Sequence, residues 1–322
     1  MLRFNGKQSA YGSLLLREER EGVEEMMNLT QLPSPVLLRG DHRRAYRDPC
    51  AVYHDGIIRL FYTLVETEAD GSVYLYTAVS ESADLSTWTE PCILTARDRS
   101  LNYSSPGNII RSDGRWLMCL QTYPRPNGEK YGNGNSRIWM MESRDLSVWG
   151  EPQLLRVKGD GVAEQDMGRM IDPYLVENAA KPGEWFCFYK QNGVSMSKTE
   201  DFRSWTYCGR EDAGENVCIL RHNDEYVMFH SPENGIGVKR SRDLLHWQDD
   251  AGLITLGQKD WGWAKGRLTA AFVLDMRNVA GVEAFVMFFH GSGPEDERVL
   301  FDTYASIGIA WSKDLIHWEW PR

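Results

Sequence analysis

"SESADLSTW", residues 80–88, decides the fold, because its pattern returns as "ESRDLSVW" at 142–149, "SKTEDFRSW" at 197–205, "KRSRDLLHW" at 239–247 and "AWSKDLIHW" at 310–318. The shared core is Asp-Leu/Phe-x-x-Trp, with tryptophans at 88, 149, 205, 247 and 318. The intervals of 61, 56, 42 and 71 residues each hold one four-stranded unit plus its loops. A phrase repeated in every unit serves structure. The Asp is expected to cap a turn and the Trp to pack between units.

The residues around each copy follow one grammar. A short strand comes first ("CAVYHDG", "GNIIRSDG", "YLVENAAKPGE", "VCILRHND", "TAAFVLD"). An aromatic-rich strand follows ("IIRLFYTLV", "RWLMCLQTY", "WFCFYKQ", "EYVMFHS", "AFVMFFHGS"). A third ("VYLYTAVS", "RIWMMES", "NGVSMSK", "GIGVKRS", "SIGIAWS") runs into the phrase itself. β-Branched and aromatic residues between Asp-Gly or Asn-Asp turns predict an all-β chain. Five such units set radially make a five-bladed β-propeller over 41–322. Residues 1–40 lie outside the grammar as an N-terminal extension. Its "YGSLLLREEREGVEEMM" is compatible with a short helix ended before "LPSP", able to cover the propeller or to join two copies into a homo-oligomer. The chain stops four residues after Trp318, so no C-terminal accessory domain is expected.

Composition narrows the partners. The net charge of −10 argues against nucleic acid, which needs a basic face. No run reaches transmembrane length, and the Glu-rich start has no signal-peptide core, so no membrane and a cytoplasmic location are expected. The cysteines at 50, 92, 119, 187, 208 and 218 form no C-x-x-C pair and are read as free thiols. The 12 tryptophans suit a core, and equally the apolar faces of sugar rings.

The first strand of each propeller blade lines the central channel, so the residues that open it crowd one mouth. These are Asp48 in "YRDP", Ser105 in "YSSPG", Asp172 in "MIDPY", Glu215 in "GENVC" and the pair Lys265/Arg267 in "WAKGRL". Asp before Pro is a common turn former. Yet three of the five blades manage without it, so the turn itself does not require Asp. Three carboxyl groups converging from three blades suit glycoside hydrolysis. One must be ionised to activate water or attack the sugar, and another protonated to serve the leaving oxygen. Like-charge crowding keeps one protonated.

In "YRDP", "MIDPYL", "GENVCILRHNDEYVMFHS" and the Asp-Leu-x-x-Trp phrase the chain resembles glycoside hydrolase family 43, which includes β-xylosidases and α-L-arabinofuranosidases. The resemblance covers about 40–322. It implies Asp48 as general base, Asp172 as the residue that tunes the acid and positions substrate, Glu215 as general acid, and inversion at the anomeric carbon. Blade four departs from it, with Glu-Asn-Val where the family has Glu-Gly-Pro.

Around these, the ends of the second strands offer Gln121, Lys190, His230 and His290 for substrate. His230 and His290 are read as occupying matching places. A core histidine is the plainer reading of either. Arg267 could bind substrate or pair with a carboxylate. Trp263 in "DWGWAKGR" could stack a sugar or simply pack. No His-x-x-x-His spacing suggests catalytic zinc, and no cofactor is required. The sequence leaves open a calcium or other ion in the channel. The leading expectation is a glycosidase releasing pentose or furanose units from small oligosaccharides. Left beside it are a glycoside phosphorylase, a retaining fructosidase and a non-catalytic carbohydrate-binding propeller.

Overall fold

The computed structural model of the chain describes residues 27–250, 252–294 and 302–322. The helix expected over 11–27 lies, but for Met27, outside the described residues. Strand β1 (Val36–Leu38) comes first in sequence and is set aside for the moment. The next sixteen strands form four antiparallel sheets of four, each paired in sequence order. Blade one is β2 (Arg44–His54), β3 (Ile57–Thr67), β4 (Val73–Ser82) and β5 (Cys92–Ile93). Blade two is β6 (Tyr103–Ser112), β7 (Arg115–Thr122), β8 (Ile138–Ser143) and β9 (Gln153–Leu154). Blade three is β10 (Ile171–Glu177), β11 (Trp185–Lys190), β12 (Val194–Thr199) and β13 (Thr206–Glu211). Blade four is β14 (Glu215–His222), β15 (Glu225–Ser231), β16 (Gly237–Ser241) and β17 (Gln248–Asp249).

Blade five closes the ring. Its β18 (Arg267–Asp275), β19 (Phe285–Ser292) and β20 (Ser306–Ser312) are consecutive, but its outer edge is shared by both ends of the described chain. Strand β1 pairs with the start of β20, Val36 opposite Gly308 and Leu38 opposite Ile307. Strand β21 (Trp318–Glu319) pairs with the other end, Trp318 opposite Ser312. Three residues from within the 1–40 segment therefore belong to the propeller sheet. The molecule is an all-β, five-bladed propeller.

The repeated phrase does what its composition suggests. In each copy a Ser or Thr hydroxyl (82, 143, 199, 241, 312) accepts the N–H of the following Leu or Phe. The Asp carboxylate accepts the next two N–H groups, as Asp145 does from Ser147 and Val148 at 2.9 Å. The Leu/Phe turns the chain with a left-handed φ of 58–69°. That is costly for a side chain with a Cβ, and is offset where the leucine is buried, as Leu85 and Leu244 are. Three of the five tryptophans then meet the second strand of the preceding blade edge-on: Trp149 on Phe61, Trp247 on Phe188, Trp318 on Phe229, with ring centroids 5.8–6.0 Å apart. Tyr174 and Phe272 come from blades three and five, which are not neighbours, yet their rings lie 6.5 Å apart. They fill the axis, so the channel is a closed-bottomed mouth.

Candidate active site

Near the mouth end of every first strand the ladder skips. The register breaks between Arg47 and Cys50, Ser104 and Asn108, Ile171 and Tyr174, Glu215 and Cys218, and Thr269 and Phe272. These are β-bulges, and each puts one residue at left-handed φ: Asp48 (49°), Ser105 (46°), Asp172 (52°), Asn216 (52°) and Ala270 (54°). A bulge re-aims one side chain and frees one N–H from the ladder. Four of the five N–H groups are caught by a side chain of the preceding blade. Asp48 donates to His290 Nδ1 (3.3 Å), Ser105 to Thr63 Oγ1 (2.7 Å), Asp172 to Gln121 Oε1 (2.5 Å) and Ala270 to Ser231 Oγ (2.9 Å). In the fifth, Lys190 takes the place of the acceptor. Its ammonium has no lone pair to offer, and instead stands 3.9 Å from the Glu215 carboxylate.

This ring corrects the sequence reading at two blades. Asp48, Ser105 and Asp172 are equivalent, as read. In blade four the equivalent residue is Asn216, and Glu215 sits one position earlier. In blade five it is Ala270, with Lys265 and Arg267 upstream. The extra residue of a bulge shifts the alternation by one, so counting along the strand misses it. The two histidines do not match either. His290 matches Ser231, while His230 accepts the N–H of Gly214 (3.0 Å) and lies against Gly237, where a Cβ would come within 2.6 Å of its ring. Burial lowers the His230 pKa to about 4, so it is a neutral structural acceptor.

Asp48 is held on both oxygens. Thr63 Oγ1 donates to Oδ2 at 2.9 Å, and the Asn216 amide reaches Oδ1 at 3.5 Å. His290 Nδ1 is 3.7 Å from Oδ1, but the two are not an ion pair. Nδ1 already accepts a backbone N–H, and burial together with the charges of Arg47 and Arg267 holds this histidine's pKa well below 6.5. Asp172 is 7% exposed and accepts from Ser105 Oγ at 3.0 Å. Burial first, then the nearby Glu215 and Asp48 carboxylates, push its pKa up to about 8, against the pull of Ser105 and Arg169. The three carboxyl groups therefore share one electrostatic neighbourhood. The bulge residues enclose a cavity of about 20 Å³ beside Asp48 and Asp172, room for about one water.

Gln121 and Lys190 stand at the ring as read, Gln121 fully engaged by Asp172. Arg267 flanks it through its effect on His290. Trp263 stacks with Trp261 and Phe289 at 5.3 and 5.8 Å, over the bare faces of Gly291 and Gly308, where a Cβ would strike its ring. It is packed in an aromatic cluster rather than brought to the ring. Thr63, Asn216 and Tyr123, whose phenol feels Arg47 and Asp172, are site residues that sequence reading missed. Thr63 was within reach by counting, since it holds the place in β3 that Gln121 holds in β7. Among the described residues no group of three or more His, Cys, Asp or Glu is arranged to hold a metal ion.

No protein-family model matches the chain, and no curated protein does. Solved structures do match. An exo-1,5-α-L-arabinanase from a bovine ruminal metagenomic library is 15% identical, with a TM-score of 0.54 over 83% of this chain and 93% of its own. A family 43 β-1,3-galactosidase, solved with galactodeoxynojirimycin, is 12% identical, with a TM-score of 0.56 over 84% and 94%. The catalytic domain of a family 62 α-L-arabinofuranosidase from Coprinopsis cinerea is 11% identical, with a TM-score of 0.59 over 85% and 96%. The chain has the fold shared by these five-bladed propeller glycoside hydrolases.

Proposed function

We propose that the protein is a glycoside hydrolase that inverts configuration, with Asp48, Asp172 and Glu215 as its reacting carboxyl groups. The observation that carries this reading is the elevated Asp172, which keeps a proton at neutral pH because it is buried and because Glu215 and Asp48 lie close by. Asp48, steadied by Thr63 and Asn216, takes the proton of a water in the small cavity beside it. That water attacks the anomeric carbon. Asp172 feels the Glu215 carboxylate and would pass its proton to it when substrate binds. Burial keeps that proton on Asp172 at rest, and Glu215, whose side chain is 32% exposed, is the carboxyl that a leaving oxygen can reach. Lys190 stabilises Glu215 once it has given its proton away. The similar structures carry names for arabinose and galactose chemistry, so the fold does not choose the sugar. Pentosides and furanosides remain the first substrates to try.

The test is hydrolysis of a panel of aryl pentosides, furanosides and hexosides, with and without phosphate. Release without phosphate supports the reading, and turnover only with phosphate would assign a phosphorylase. Asp48→Asn should lower turnover by about 10³-fold or more with little change in melting temperature. Retention of most activity would sink the assignment of the base. Glu215→Gln should harm poor leaving groups more than activated aryl ones, and an equal loss on both would remove it as the donor. Activity should fall as pH rises through about 8, where Asp172 loses its proton.

A further inference from the structure

We infer that a buried ion pair, Arg125–Asp302, makes the mouth one-ended, so that only a chain end enters and single sugars are released. This rests on the hydrolase reading above. The two Nη atoms of Arg125 donate to the two carboxylate oxygens of Asp302, both at 2.8 Å, with the side chains 5% and 13% exposed. A bidentate pair so buried fixes both partners in one geometry. Arg125 follows β7 in blade two, and Asp302 precedes β20 in blade five. Those blades are not neighbours. Blade one, with Asp48, lies between them, so the pair spans it.

The surroundings build a wall there. β2 starts at Arg44, four residues above the Asp48 bulge, a rise of roughly 13 Å. Ala45, Val65, Leu75, Tyr123, Ile171 and Ala305 pack as an apolar cluster of their own, whose Tyr123 and Ala305 are close in sequence to Arg125 and Asp302. Backbone bonds tie the layers: Arg125 N–H to Arg99 O (2.9 Å), Tyr46 N–H to Ala305 O (2.9 Å) and Tyr304 N–H to Asp41 O (2.8 Å). The connections are short where blades three and four meet, with β13 and β14 joined by 212–214 alone. Blades three and four join their second and third strands by the short connections 191–193 and 232–236. The Asp48 side chain is 11% exposed under the wall, and those of Glu215 and Lys190 are 32% exposed on the open side. A leaving group therefore departs over Glu215, while the sugar beside Asp48 has no exit beyond it. A chain threaded through the mouth needs two open ends, and one is closed.

The experiment uses trisaccharides of arabinose, xylose and galactose with the non-reducing end free or O-methylated. Cleavage is measured with the wild type, and binding by calorimetry with Asp48→Asn. Discrimination of about 100-fold for free ends is expected, falling at least about tenfold in R125M/D302L, which removes the pair without stranding a charge. Turnover of an aryl monosaccharide glycoside by R125M/D302L should stay within about threefold. If that variant does not fold, Arg125→Lys, which keeps the charge but not the fork, is compared in the same way. Equal handling of free and blocked ends by the wild type overturns the inference, as does a folded variant with undiminished discrimination. Binding without cleavage removes the hydrolase reading but still scores the wall through discrimination. Neither binding nor cleavage across the panel overturns both.

Discussion

Asp172 and the two buried histidines set opposing proton linkages. A carboxyl whose pKa rises from 3.8 to about 8 on folding contributes stability at low pH and loses it as pH climbs through that range. Asp172→Asn removes the ionisation while keeping the shape. The variant should gain on the wild type with rising pH, by roughly 3–5 kcal/mol between pH 4 and 9, read from denaturant melts. A flat difference would contradict the elevated pKa. His230 and His290 act the other way, because both are held below their ordinary 6.5 by burial. The unfolded chain takes up their protons first, so stability falls as pH drops below 6.5. Below pH 6.5 the two histidines together oppose Asp172, and above it Asp172 acts alone, so stability falls from there to about pH 8. Melting temperature should peak near pH 6.5, with the acid side flattened in His290→Gln. Asp48 and Asp172 were legible in the sequence because Asp-Pro opens two strands and not the rest. Asn216 was not, since nothing local marks an asparagine beside a more conspicuous glutamate, and Thr63 shows only by counting to the place that Gln121 holds in β7.

The working element of the site is the bulge, which supplies both the aim and the strain. Ala270 holds a left-handed φ of 54° with no polar side chain to gain from it. Ala270→Gly should relieve that conformation and raise stability by up to about 1 kcal/mol. Ser105→Gly should not, because it also gives up the hydrogen bond to Asp172. Asp-Leu-x-x-Trp loops offer a second check. Asp145→Ala leaves the N–H groups of Ser147 and Val148 without their acceptor and should cost about 1 kcal/mol. The same change at Asp243, two blades away, should add to it independently. Strand periodicity was readable from the alternation of residues, but a bulge inserts one residue without any change of composition. That is why Glu215 was taken for the ring residue of blade four.

For the whole molecule, repetition made the architecture legible: five copies of one loop imply five copies of what it joins. β1 was hidden, because three residues without a repeat carry no periodicity, and only pairing with β20 gives them a place. Closure rests on the pairing of β1 with β20 and on the packing of blade five against blade one. Trp318→Ala removes the ring that bridges blade five to Phe229, and should cost about 2–4 kcal/mol. It should also spread the unfolding transition more than the equivalent change at Trp149, because blade five draws its strands from both ends of the described chain. Identical transitions would mean that the seam is no weaker than any other blade junction.

That seam joins the earliest described strand to be synthesised with nearly the last. While the ribosome works through blades one to four, β1 has no partner, and neither has the edge it will meet. A nascent chain can stack four blades, but the final annealing step must wait until β20 has cleared the exit tunnel. Until then an open arc presents bare strand edges, the surfaces on which chaperones and stray copies of the same chain compete. Yield in the cell should therefore respond to how fast the last blade is translated, even where the finished protein melts at the same temperature.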